Sequence, residues 1–194
     1  MGDLKEKDIL SIEQLREQLE GAGIDTSIWG TGEAKTLANL QREIEHGETV
    51  LTTGETGELM RKVVMGGADI YYESPNGVVY RLKEEKQVFN DGRERRRDYG
   101  HAVSEKMKPN EDAIEGMIRG IQEELGIGGA INLVQTDEDE QTLMSPSYPG
   151  LKSQYLRYKF RAMLNDEQFC EEGYIEEDYD KTTYFVWEEV NTQK

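Results

Sequence analysis

The sequence predicts an α+β fold, and three observations predict it. Alternating apolar segments with hairpin signals fill residues 60–92, one strongly amphipathic helix follows from about residue 110, and further alternating segments lie beyond it. Strands, then a helix, then strands place that helix on a mixed or antiparallel sheet. The first 58 residues read as a helical N-terminal extension, ahead of a main region over 59–194.

In chain order, Ser11 suits an N-cap for a helix running through Glu20 and ended by Gly21 and Gly23, with Ile12, Leu15 and Leu19 on one face. A second helix is expected from Glu33 to Glu45, with Leu37, Leu40 and Ile44 at helical spacing. Gly30-Thr31-Gly32 between them reads as a glycine turn, because it lacks the Gly-Lys-Ser/Thr ending of a phosphate-binding loop. Ala68–Tyr72 leads into Pro75-Asn76-Gly77 and Val78–Tyr80 resumes the extended pattern, which marks a hairpin. Lys86–Phe89 meets Asn90-Asp91-Gly92, a second hairpin signal, and Arg93–Arg97 returns as a polar strand or loop.

Pro109-Asn110 introduces the best helix of the chain, with Asn110 the expected cap and Glu111 and Asp112 suited to the positive helix start. Ile114, Met117, Ile118, Ile121 and Leu125 form its apolar stripe, and Gly126 stops it. Beyond it, Ile131–Val134 reads as a strand, Asp137–Glu140 as an acidic loop and Ser145–Gly150 as another loop. Tyr155–Met163 and Thr182–Trp187 read as strands. Trp29 and Trp187 are expected in the core or between domains.

Composition removes several functions. The 194 residues carry 23 Lys+Arg against 40 Asp+Glu, a net charge of −17, which argues against duplex nucleic-acid binding. One cysteine, Cys170, excludes an internal disulfide and a cysteine-rich zinc site, and it has no nearby histidine to activate it as a nucleophile. Two histidines, His46 and His101, make a histidine metal centre improbable. There is no apolar run long enough to span a membrane. Met1–Leu10 is charged and lacks an apolar core, so the expectation is an intracellular, cytoplasmic protein. Any chemistry falls to carboxylates.

The segment Glu105–Ile127 resembles the signature box of the Nudix hydrolases. That box reads Gly, five residues, Glu, seven residues, Arg-Glu, an aliphatic, any residue, Glu-Glu, any residue, Gly, an aliphatic. Glu111, Arg119, Ile121, Glu123-Glu124, Gly126 and Ile127 stand in register with it. Two positions depart: the opening Gly is Glu105, and the Glu after the Arg is Gly120. The resemblance implies a Nudix-like mixed sheet with the box helix packed on it. It also implies hydrolysis of a nucleoside-diphosphate-linked substrate with Mg²⁺ or Mn²⁺. Glu123 and Glu124 would be the metal ligands, Arg119 and Glu123 the catalytic pair, and the partner a nucleotide or small phosphorylated molecule. Hard cations prefer oxygen ligands, and the charge of a diphosphate must be neutralised before water attacks.

Gly120 opens the alternative. The family places a metal ligand or the base there, and glycine supplies neither. Together with Gly116 it leaves room for another segment, of this chain or of a partner, to pack close. Either a remote carboxylate among Asp137–Glu140, Glu171, Glu172 and Glu176 replaces the missing one, or the chain is a catalytically silent Nudix-fold module that binds a nucleotide or a protein. The basic cluster Arg93, Arg95, Arg96 and Arg97 reads as a phosphate grip or as an offset to acidic surface. Ser145–Gly150 reads as a pocket wall with Tyr148 stacking on a base, or as a rigid cover over a sheet edge.

Overall fold

The structure is a computed structural model and describes residues 10–96 and 100–190. Residues 1–9 of the stretch read for a targeting signal, and Arg97 of the basic cluster, lie outside the described residues. Among the described residues no helix is long and apolar enough to cross a membrane. Contacts divide the chain into two units, and three strands contribute residues to both. One unit takes the described residues up to Val64 together with Glu140–Leu156, and the other takes Met65–Asp139 and the residues from Arg157 onward.

The first unit opens with α1 (Ile12–Gly21) and α2 (Leu37–Glu45), each started by a capping box: Ser11 with Gln14, and Thr36 with Asn39. Reciprocal side-chain and backbone bonds satisfy amide donors that a helix start leaves unpaired. Thr36 therefore sets the start of α2, and Glu33 lies in the turn before it, not in the helix. Strand β1 (Val50–Thr53) pairs antiparallel with the first residues of β2 (Leu59–Glu73). The apolar faces of the helices meet Trp29, Tyr148 and Leu151 in one core with Leu15, Leu19 and Leu40. Tyr148 is fully buried, its ring 5.1 Å from that of Trp29, and Trp29 Nε1 donates to the Pro149 carbonyl at 2.9 Å. The stacking role considered for Tyr148 is thus excluded, because no base can reach a ring packed inside this core.

One buried ion pair sits in this unit. Arg61 Nη1 donates to Glu43 Oε2 at 3.2 Å, Nε to Ser153 Oγ at 3.1 Å, and Nη2 to the Tyr155 hydroxyl at 3.0 Å. Its guanidinium also lies 4.9 Å from the centre of the Tyr148 ring. Lys35 Nζ completes Glu43 at 2.6 Å.

The second unit is built on a sheet in the order β6-β7-β2-β3-β9-β8, with β5 paired to β2 and β4 to β3. Its strands are β3 (Val79–Phe89), β4 (Glu94–Arg95), β5 (Val103–Lys106), β6 (Asn132–Met144), β7 (Lys152–Leu164), β8 (Tyr174–Glu177) and β9 (Lys181–Glu189). Both expected hairpins form, with Gly77 and Gly92 at positive φ in their turns. Asp137–Glu140 is strand and not loop. On β6, Asp137 accepts from Lys159 Nζ at 2.8 Å, and Asp139 lies 3.4 Å from Arg157 Nη1. Basic residues on β7 thus offset the charge density that reads as a loop in the sequence.

Helix α3 (Ala113–Leu125) carries the box. Its cap is Asp112, whose Oδ1 accepts from the Ile114 and Glu115 amides at 2.9 and 3.2 Å. Asn110 does not cap it. With φ 61 it makes the preceding turn, a conformation that asparagine tolerates better than most residues. The buried face is Gly116, Met117, Gly120, Ile121 and Leu125, while Ile114 is 41% exposed. The face is rotated from the expected stripe because the two glycines bear no side chain, so that Met107, just after β5, packs on Gly116 and Glu105 of β5 packs on Gly120.

Candidate active site

Strand β5 and helix α3 enclose the box. Chain alternation sends Val103, Glu105 and Met107 to one side of β5. Val103 and Met107 are buried, so Glu105 is the one charged side chain on an otherwise apolar face. A Cβ at Gly116 would collide with Met107 Sδ and would lie 2.9 Å from Glu111 Oε2. Glycine costs a helix interior about 1 kcal/mol relative to alanine, and here that cost admits the strand.

Arg119 is the hub. Its Nε donates to Glu111 Oε1 at 2.9 Å and Nη2 donates to Glu111 Oε2 at 3.0 Å, a two-pronged contact that suits the planar guanidinium. Nη1 donates to Glu105 Oε1 at 3.1 Å and to Glu123 Oε2 at 3.3 Å, and Nη2 also reaches the Lys106 carbonyl at 3.3 Å. Glu111 further accepts from the Lys108 amide at 2.8 Å. One guanidinium thus ties the loop before the helix, the strand and the helix itself.

The Arg119 hydrogen bonds hold the Glu111 carboxyl down from its ordinary 4.5 to about 2, against the opposing effect of partial burial. The same contacts, Glu111 first, raise Arg119 further. A carboxyl with a depressed folded-state pKa adds stability that is present above its unfolded value and lost as pH falls through the folded value. Thermal stability is therefore expected to be level in this respect above about pH 4.5. Between about pH 4.5 and pH 2 it is expected to fall by on the order of 2 kcal/mol, after allowing for solvent at the edge of the pair. Acid unfolding of wild type against Glu111→Gln reads this directly, and equal acid sensitivity in the two would contradict it.

The two adjacent glutamates that the resemblance names as ligands point to different places. Glu123 lies beside Arg119 with its side chain 63% exposed. Glu124 is half-buried and lines a cavity of about 150 Å³ with Glu84, Gln87, Ser104, Glu176 and Thr183. Among the candidate replacement carboxylates, Glu176 shares a cavity with the box residue Glu124; Glu171 and Glu172 are exposed on a turn, and Asp137 is paired on β6. A larger cavity of about 650 Å³ also has Glu84 in its wall, with Arg81, Lys83, Arg96 and His101. His101 Nε2 lies 2.6 Å from Ser104 Oγ, and these two side chains line the two cavities. Of the basic cluster, Arg96 reaches the larger cavity. Arg93 pairs with Asp91 at 2.7 Å and Arg95 bonds Gln87 Oε1.

The donors are carboxylates, right in kind for Mg²⁺ or Mn²⁺. Among the described residues no group of three or more His, Cys, Asp or Glu side chains is placed to hold an ion alone. Mg²⁺ commonly takes one or two carboxylates and completes its shell with water and substrate phosphate. Three carboxylates meet Arg119 at a partly exposed edge, and carboxylate oxygens are ligands of the kind such an ion takes.

No protein-family model matches the chain, and no curated protein matches it. Among solved structures, it is similar to Nudix hydrolases. A Caenorhabditis elegans Ap4A hydrolase is 16% identical, with 65% of this chain and 79% of that one covered at a TM-score of 0.37. The Mycobacterium smegmatis Nudix hydrolase RenU is 12% identical, covering 72% and 79% at 0.35. With identities and scores this low, the geometry of the box, and not these likenesses, carries the functional reading.

In the sequence Glu105 reads as a departure from the box and not as a site residue; the signal for it is the paired exchange, glutamate for glycine at 105 and glycine for glutamate at 120.

Proposed function

We propose that the chain is a Nudix-type hydrolase that cleaves a nucleoside-diphosphate-linked substrate with the help of a divalent cation. The observation that carries this reading is the Arg119 hub, which gathers Glu111, Glu105 and Glu123 in one cluster. Glu123 and Glu124 are the proposed metal ligands. When bound, the cation would neutralise diphosphate oxygens and lower the pKa of an attacking water. Arg119 holds Glu123 in place and fixes the loop through Glu111. The 650 Å³ cavity is of a size that holds a nucleotide, and its wall carries Arg81, Lys83 and Arg96, cations of the kind that grip phosphate, each paired with a carboxylate (Asp69, Glu188 and Glu85) that a phosphate would displace. Glu84 stands in the wall of this cavity and in that of the smaller one lined by Glu124.

The test is Mg²⁺- or Mn²⁺-dependent release of product from nucleoside diphosphate conjugates, by wild type and by Glu123→Gln. Turnover is expected to fall about a hundredfold or more in the variant, with the fold intact by circular dichroism. Wild-type rates in Glu123→Gln would remove this residue from the mechanism. A silent binding module is the second reading, favoured by the lack of a three-ligand group among the described residues. It requires saturable nucleotide or protein binding with no metal-dependent product.

A further inference from the structure

We infer that Glu105 and Gly120 are an exchanged pair, in which strand β5 presents to the cation the carboxylate that helix α3 no longer carries. This rests on the hydrolase reading and adds a residue to it. The two departures from the box are distant in sequence and adjacent in space. A Cβ at Gly120 would lie 2.6 Å from Glu105 Cβ, 2.8 Å from its Cγ and 3.2 Å from its Oε2. Glu105 therefore occupies the volume into which a side chain at 120 would project, and the chain has room for one of the two.

The placement of Glu105 agrees. Its strand neighbours on the same side, Val103 and Met107, are buried against the core, so this face of β5 is no ordinary site for a glutamate. Gly66 lies opposite Glu105 on β2. Its missing Cβ would otherwise meet Met107 Cε at 2.6 Å and Met117 Sδ at 2.9 Å, so glycine lets this layer close. Arg119 Nη1 holds Glu105 Oε1 and Glu123 Oε2 together, which brings a carboxylate from the strand and a carboxylate from the helix to one nitrogen. The Glu105 side chain retains 21% exposure, enough for an ion to reach it. Glu105 then joins the helix carboxylates as an oxygen ligand for a phosphate-bound Mg²⁺ or Mn²⁺, with Glu123 beside it on the same guanidinium.

The test is Mn²⁺ binding, followed by the electron paramagnetic resonance signal of free Mn²⁺, with and without methylene-bridged ADP. Glu105→Gln keeps the shape of the side chain and removes its charge. It is expected to weaken Mn²⁺ binding at least tenfold while circular dichroism stays that of wild type. The return exchange, Glu105→Gly with Gly120→Glu, is expected to bring affinity back to within about threefold, because the carboxylate re-enters the same volume from the helix. Wild-type Mn²⁺ affinity in Glu105→Gln overturns the inference and leaves the hydrolase reading standing. A folded return exchange that binds no better than Glu105→Gln also overturns it. Metal binding that depends on Glu105, with no product from any diphosphate, supports the inference and defeats the hydrolase reading. A wild type that binds no Mn²⁺ defeats both.

Discussion

Replacing Arg61 by methionine is expected to lower the unfolding free energy by about 3–5 kcal/mol. Arg61 is 4% exposed, and its guanidinium satisfies Glu43, Ser153 and Tyr155 at once. Methionine fills much of the same volume and donates nothing, so the buried Glu43 carboxylate loses the Arg61 hydrogen bond and keeps that of Lys35. The cost comes from that less compensated buried charge more than from lost attraction, since a buried ion pair gains little net energy over apolar packing. Glu43→Gln in the Arg61→Met background is therefore expected to recover part of the loss. Urea unfolding of wild type, the two single variants and the double variant measures the cycle. A loss below about 1 kcal/mol in Arg61→Met would show that water reaches this pair in solution.

Arg119→Met is expected to cost about 2–3 kcal/mol and to abolish any metal-dependent turnover. The stability loss is smaller than for Arg61 because the Arg119 side chain is 20% exposed and its carboxylates can partly rehydrate. Without the guanidinium, Glu105, Glu111 and Glu123 face one another as like charges. The Glu111 carboxyl then loses the main cause of its low pKa. The stabilisation that wild type holds in full above about pH 4.5 and loses toward pH 2 would be absent in the variant, so the gap between the two is expected to narrow as pH falls from about 4.5 toward 2. A gap that stays constant with pH would mean that Arg119 acts through packing of its stem rather than through its charge.

The two arginines illustrate what was legible in the sequence. Arg119 stands in a spaced motif with Glu111 and Glu123, and helical geometry alone brings positions 119 and 123 together. Its contact with Glu111 follows once a turn precedes the helix. Arg61 carries no such mark. Its partners Glu43, Ser153 and Tyr155 come from three separate segments, and no periodicity connects them. Asp137–Glu140 failed for a related reason. Local composition favours a loop, and Lys159 on the neighbouring strand outweighs it.

By itself the sequence determined what short-range physics determines. The faces of α1 and α2, the cap at Ser11, the glycine hairpins and the register of the box all depend on neighbours a few residues away. Tertiary structure decided the rest. It assigned Glu140–Leu156 to the unit of the N-terminal helices, and with it placed Tyr148 inside a core. It turned α3 so that Gly116 and Gly120 face β5, and it set Glu105 in the space above Gly120. The reason is steric and long-range. A glycine in a sequence says that a side chain is missing, and only the packed chain says which residue fills the space it leaves.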